Sequence, residues 1–512
     1  MKKKIIAYDL GTGGNKASLY NADGVCLSST FDPYQTFYPR SGVHEQKPAD
    51  WWKSIVKTTK QLLEKTDVNV DEIECLAISG HSLGVVPLDK KGRLLRDNIP
   101  IWSDSRAGAQ AEWFFRKIDQ DAWYMITGNG FPAKLYSVFK ILWYRDHDPE
   151  VFNEISRVIG TKDYINYLLT GEIKTDYSYA SGSGVYDLKR WDYSSELIAL
   201  SGLEEAIFPE IVPSTEILGQ LTPHAADSLG LPREVKVACG GVDNSCMALG
   251  AGNIESGKVY LSLGSSAWIA VSDVNPVLDA DHRPFVFTHV IPDMFTSAVS
   301  IFSAGNSFRW IRDQICPDLI KKAEESHQDV YEMMVSLAEK SPPGANKLLF
   351  NPSLAGGSSQ EPDPNIRGAF SGLDLGHKRS DLIRAGMEGI AMNLGSVLKV
   401  LNKFSDLSDH MVIVGGGSKS KLWREIFADV FNMNIVKTNI GDEAGSLGAA
   451  AIAAVGCGLW NDFSKIEEIL VVESVSKPVQ KNKQVYQKLE EVYEKLRDSQ
   501  ADIGRSLSNI RF

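Results

Sequence analysis

Apolar and polar positions follow two rhythms along this chain. Ile5-Ile6-Ala7-Tyr8 is a β-rich run that enters Asp9-Leu10-Gly11-Thr12-Gly13-Gly14-Asn15, after which Lys16-Ala17-Ser18-Leu19-Tyr20 alternates and stops at Asn21-Ala22-Asp23-Gly24. This predicts strand, Gly-rich turn, strand, and a second turn whose Asp-Gly suits a hairpin. A similar unit recurs about 250 residues on: Val259 to Leu263, the turn Gly264-Ser265-Ser266, then Ala267 to Val271. The repetition suggests a duplicated architecture. Between the two, Trp52, Ile55, Val56, Leu62 and Leu63 give Trp51–Lys65 a helical spacing, and Ile73–Ser79 reads as a buried strand. Later, Ser380–Phe404 and Leu422–Phe431 read as helices and Met411–Val414 as a strand running into Gly415-Gly416-Gly417. Val485, Leu489, Val492 and Leu496 share a face of a last helix, expected to close on the second half. Alternation of this kind predicts an α/β fold.

Length supports more than one domain, since 512 residues exceed the ~100–200 of an ordinary one. The boundary is expected near residues 247–256, giving domains 1–250 and 251–512. Hydrophobic residues at 43% and charged residues at 23% are ordinary globular values. A net charge of -11, without a local basic patch, argues against a nucleic-acid partner. After Met1-Lys2-Lys3-Lys4 only Ile5, Ile6 and Ala7 are clearly apolar, too few for a signal peptide, and no later run is long enough to span a membrane. Cys26, Cys75, Cys239, Cys246, Cys316 and Cys457 form no C-x-x-C pair and read as free thiols. Together these predict a cytoplasmic protein with no membrane partner.

The candidate chemistry lies in the turns. A Gly-rich turn between strands brings backbone N–H groups close to a phosphate, because no Cβ stands in the way. Gly11–Gly14 and Gly264–Ser266 both offer this, with hydroxyls from Thr12, Ser265 and Ser266. Either turn alone is equally readable as a tight hairpin. Asp9 would repel a phosphate unless a magnesium ion stood between, held through water. Cys239-Gly240-Gly241-Val242-Asp243-Asn244 reads as a strand-to-helix turn that presents Asp243 as a general base for phosphoryl transfer to a hydroxyl, with Asn244 as a polyol contact; a helix N-cap is the plainer reading of Asp243. Gly252–Lys258 fits G-x-x-x-x-G-K, but Val259 replaces the metal-binding hydroxyl and the stretch leaves a helix for a strand, so a P-loop is rejected.

In order, these segments resemble the FGGY carbohydrate kinases, members of the actin, hexokinase and Hsp70 superfamily. Asp9–Asn15 is similar to the first phosphate motif, Leu263–Ser266 to the second, Gly240–Asn244 to the segment of the catalytic aspartate, Gly415–Ser420 with Trp423 to the adenosine loop, and Glu443–Ala450 to the helix start behind it. The resemblance implies two ribonuclease-H-like domains with an interdomain cleft, sugar held mainly by the first and ATP by the second, and closure around both substrates. It implies that Thr12, Gly13, Gly14 and Lys16, and from the second half Gly264, Ser265, Gly305, Gly416, Gly417 and Ser420, meet the nucleotide and its phosphates. It places His81, Ser82, Trp102, Asp104 and Asn244 at the sugar. Ser82-Leu83 occupy the positions of the Met-His pair of xylulokinases and the Arg-Glu pair of glycerol kinases, and match neither. His81 is readable as a sugar ligand or as an interior histidine bonded to backbone, and Asp104-Arg106 as a sugar-facing pair or a solvated surface pair. The expected activity is ATP- and Mg2+-dependent phosphorylation of a primary hydroxyl on a ketopentose-like sugar. A polyol, tetrulose or sugar acid is the alternative within kinases. A nucleotide-switched actin- or Hsp70-like binding protein and a non-catalytic sugar sensor are the alternatives outside them. Homodimers are common among such relatives.

Overall fold

The computed structural model describes residues 3–358 and 360–510, so the first two residues of the Met1–Lys4 run lie outside the described range. The chain forms two compact units, and neither is one continuous stretch. The first comprises Met1–Ser256, Ser272–Ser297 and Glu443–Leu470; the second comprises Gly257–Val271, Ala298–Asp442 and Val471–Phe512.

In the first unit, strands Lys4–Leu10, Gly14–Asn21 and Cys26–Pro33 form an antiparallel meander, and Ile73–Gly80 joins Lys4–Leu10 in parallel. The second turn of the meander is held by Asn21, whose Oδ1 accepts from Asp23 N (3.0 Å) and Val25 N (2.9 Å). A parallel neighbour needs a crossover, supplied by the helix Pro48–Thr66, with proline in its first turn. Its most buried line runs through Trp51, Ile55, Thr58, Thr59 and Leu62; Trp52, Val56 and Leu63 flank it. The inward face is thus turned slightly from the apolar pattern because two threonines face in, bonding Tyr8 Oη (2.7 Å) and Asn15 Nδ2 (2.8 Å). Tyr8 meets this helix, while neighbouring Asp9 lies against Gly445 of the helix Ala444–Gly456. Since successive strand residues point to opposite faces, the sheet carries a helix on each side.

The second unit has its own sheet, in which Lys258–Leu263, His410–Val414 and Asn434–Thr438 run parallel and Val472–Ser476 pairs antiparallel at the end. The helices Arg379–Asn402, Lys421–Phe431 and Gln480–Ser508 belong to this unit. The last helix is longer than its apolar pattern indicates, and its inward line is Tyr486, Tyr493, Arg497 and Gln500, with Val492 exposed. Polar tips decide this line: Tyr486 Oη donates to Glu388 (2.7 Å), Tyr493 Oη to Gly389 O (3.2 Å), and Arg497 Nε to Glu361 (3.0 Å). All six cysteines are free thiols. Among the described residues no helix is long and apolar enough to cross a membrane.

Candidate active site

Strand register assembles the first cluster. Lys16, Asp9, Ser79 and Gly241 stand side by side across four strands, and the next row is Asn15, Leu10, Gly80 and Val242. Asp243 follows as the first residue of the helix Asp243–Gly250, at the carboxyl ends of the parallel strands where open α/β sheets place their ligands. It is not the N-cap, which is Val242. Its Oδ1 accepts from Asn244 N at 2.8 Å. Asp9 is fixed from two sides: Ser79 Oγ donates to its Oδ1 (3.0 Å), and Gly445 is so near that a Cβ there would lie 3.1 Å from Oδ2. Lys16 Nζ lies 3.3 Å from Glu443 Oε1.

Removal from bulk water, and then the nearby charge of Asp9, push the Asp243 carboxyl up to about 7. Burial also raises Asp9, against the hydrogen bond from Ser79 and the charge of Lys16. A proton acceptor titrating near neutrality is well matched to accepting a hydroxyl proton. If Asp243 is that group, kcat/KM rises with pH through an apparent pKa near 7 and levels above it. A profile flat from pH 5.5 to 8 would exclude it.

Two buried carboxylates near enough for the charge of Asp9 to raise Asp243 suit a hard divalent cation, which would relieve their repulsion. Among the described residues no group of three or more His, Cys, Asp or Glu side chains is placed to hold a metal alone. Oxygen donors such as the Asp9 carboxylate suit a magnesium ion that keeps most of its ligands as water and phosphate oxygens.

Around this cluster lie the candidate sugar residues. Trp102, partly exposed, donates its indole N–H to Thr12 Oγ1 (2.8 Å), and Gln46 Nε2 donates to Thr12 O (2.7 Å). Thus Thr12 in the first Gly turn is tied to the Trp102 segment. Asp104 is fully buried, and its two oxygens accept from His44 N (2.7 Å) and from Arg106 N, Nε and Nη2 (3.1, 2.9 and 2.7 Å). Arg106 also reaches Glu45 (2.6 Å), so the pair is a buried ionic network instead of a solvated surface pair. With both oxygens already bonded, Asp104 holds the segment that carries Trp102.

His81 is interior, edge-on to Trp51 at 5.7 Å, and neither ring nitrogen has a well-formed hydrogen bond. Burial pushes it down to about 4, so the ring is neutral. Ser82 follows it, also buried. Sequence reasoning missed Lys140, fully buried, whose Nζ donates to Leu83 O (3.0 Å) and Ile101 O (2.7 Å) and so ties the His81 loop to the Trp102 segment. Burial pushes Lys140 down to about 7. A lysine inside the apolar pattern of Val138, Phe139, Ile141 and Leu142 was the available signal.

The second unit gathers the other turns at the end of its central strands. Gly264 N donates to Ser266 O (3.0 Å) and closes the second Gly turn. Gly305 N donates to Gly264 O (3.0 Å) and Asn306 N to Ser265 O (2.9 Å); a Cβ on Gly305 would lie 2.3 Å from Gly264 O, so only glycine allows this approach. Gly415 and Gly417 lie against Leu263, just before that turn, and Ser420 caps the helix Lys421–Phe431 by accepting from Trp423 N (3.3 Å). Gly264, Ser265, Gly305, Gly416, Gly417 and Ser420 thus come from three separated segments to one end of one sheet. Gly252–Lys258 leaves the helix Asp243–Gly250 and enters the strand Lys258–Leu263, the opposite order to a P-loop.

Models of the FGGY family of carbohydrate kinases match residues 4–250 with their N-terminal domain and 259–457 with their C-terminal domain. The chain belongs to the FGGY family of carbohydrate kinases, and it is an ATP-dependent sugar phosphotransferase with the family's two-domain α/β fold. It is 30% identical to a xylulose kinase of Bacillus subtilis over 510 residues, covering 99% of each chain. It is 26% identical to a gluconokinase of the same organism over 472 residues, 92% of this chain and 91% of that one. Its structure superimposes on the crystal structure of xylulose kinase from Rhodospirillum rubrum with a TM-score of 0.89 at 28% identity, covering 98% of this chain and 100% of that one.

Proposed function

We propose that the protein transfers the γ-phosphoryl group of ATP to a primary hydroxyl of a ketopentose, with Asp243 as general base. The observation that carries the reading is the pair of buried carboxylates, Asp9 set by strand register and anchored by Ser79 beside Gly445, and Asp243 at the following helix start, raised toward neutrality. Asp243 accepts the proton of the attacking hydroxyl, which then bonds to the γ-phosphorus as the bond to the ADP oxygen breaks. Asp9 would hold a magnesium ion, which would neutralise charge on the phosphate oxygens. Thr12, Gly13, Gly14 and Lys16 receive the transferred group from the first unit. Gly264, Ser265, Gly305, Gly416, Gly417 and Ser420 hold the nucleotide on the second. Trp102, His81, Ser82 and Asn244 line the sugar, held in place by Asp104 and Lys140. In domain terms, residues 1–250 serve the sugar and residues 251–512 serve ATP.

The xylulose kinase relative supports a ketopentose, and the gluconokinase relative makes a sugar acid the second reading, because Ser82-Leu83 lacks the Met-His pair. ADP release with Mg-ATP against D-xylulose, other ketoses, tetruloses, polyols and D-gluconate decides between them. Turnover with D-xylulose at least tenfold above every other acceptor is expected. Preferential turnover of D-gluconate would overturn the ketopentose and keep the kinase.

A further inference from the structure

The fully buried Lys162 and its neighbours are not part of the roles above. The turn Thr161-Lys162-Asp163, which opens the helix Thr161–Thr170, bonds to both of the loops that matter. Toward the sugar side, Thr161 Oγ1 donates to His81 O at 2.7 Å. Toward the base, Lys162 Nζ donates to Cys239 O (3.3 Å), an oxygen that also accepts from Asn166 Nδ2 (2.7 Å) of the same helix.

The lysine is held between two buried carboxylates, Asp163 (2.6 Å) and Asp176 (3.0 Å), and they keep it charged. Asp176 in turn accepts from the Ser178 hydroxyl, and Ser178 Oγ accepts from Val242 N (2.9 Å). The turn from Cys239 to Val242 is thus gripped at both ends from the Lys162 network, and Asp243 is the next residue. Between the two grips Gly240 has φ +75°, and a Cβ there would lie 2.2 Å from Ile78 O, so the turn has little room to relax. Such a network is wasteful as mere stabilisation, since burying three charges costs about as much as their attraction returns. As a spacer it has a use: one helix start sets the base turn and the sugar loop at a fixed separation.

We infer that Thr161, Lys162, Asp176 and Ser178 are positioning residues that fix Asp243 relative to the His81 loop. The inference rests on the reading of Asp243 as the base. Displacing a reacting group by about 1 Å costs on the order of 10²-fold in rate. Lys162→Met would strand two buried carboxylates and is a poor probe. Ser178→Ala removes the bonds to Asp176 and from Val242 N, Thr161→Val removes the bond to His81 O, and each keeps the buried volume nearly unchanged.

With Mg-ATP and D-xylulose, or D-gluconate where that acceptor turns over faster, Ser178→Ala is expected to lower kcat about 10²-fold. Both KM values should stay within roughly threefold, and melting temperature near wild type. Thr161→Val is expected to raise KM for the acceptor about tenfold, with KM for ATP unchanged. Wild-type kcat in Ser178→Ala, or a loss equal to the unfolded fraction, overturns the inference provided Asp243→Asn is inactive. A fully active Asp243→Asn instead overturns the base assignment beneath it.

Discussion

Asp243→Asn is expected to lower kcat by about 10³-fold, within the 10²–10⁴ that a positioned general base contributes, while the protein still binds sugar and Mg-ATP. Asparagine matches the carboxylate in shape and can still accept from Asn244 N, but it cannot take a proton at neutral pH. The same substitution has a thermodynamic signature. A carboxyl near 7 in the folded chain and near 3.8 when unfolded binds more protons folded than unfolded between those values. Stability attributable to this group is therefore full below pH ~4, falls as pH rises toward 7, and is flat above. Asp243→Asn should remove that slope. Calorimetric melts from pH 4.5 to 7.5 check this together with ADP-release kinetics. A substituted enzyme within threefold of wild-type turnover would end the assignment.

The largest effect on folding is expected from Gly448→Val. The helices Asp243–Gly250 and Ala444–Gly456 touch backbone to backbone: a Cβ at Gly448 would lie 1.9 Å from Cys246 O, and one at Gly250 would lie 1.9 Å from Ala444 O. Even one methyl forces the helices apart, and a branched side chain at such a crossing should cost about 3 kcal/mol. Because the displaced helix begins at Asp243 and its partner carries Gly445 beside Asp9, activity should fall with stability. Thermal melts and turnover per folded molecule check it; an unchanged melting temperature would show that the crossing opens without strain.

This crossing explains the glycines at positions 250 and 448. Gly250 lies in the stretch near residues 247–256 that reads in sequence as a domain boundary, and Gly448 in Glu443–Ala450, which resembles the helix start behind the adenosine loop. Gly250 and Gly448 are needed because each helix lies against the backbone of the other. Periodicity marks which residues are buried but not how close the burying backbone comes.

Much of the frame was legible. Two strand–Gly turn–strand units, the helices following them, and the ordered run of Asp9, Gly11–Gly14, Asp243, Gly264–Ser266 and Gly415–Ser420 identify the architecture and the class of chemistry, because turns that approach phosphate need glycine and phosphoryl transfer needs a carboxylate. The buried ionic groups were not legible in the same way. Asp104-Arg106 looks the same in sequence whether solvated or enclosed, and Lys162-Asp163 looks like an ordinary polar helix start.

The amino-acid sequence by itself therefore determined the α/β class and the family, and it singled out Asp243 as the carboxylate proposed to accept the proton, since these readings rest on local pattern. Tertiary structure alone decided that Glu443–Leu470 returns to the first unit, where Tyr20 Oη lies 3.0 Å from Ser446 Oγ and Trp460 Nε1 donates to Ala22 O (2.7 Å). It also decided that Asp9 lies against Gly445 and that Lys162 braces the turn before Asp243. These pairings join residues far apart along the chain, and only packing, which acts through space, brings them together.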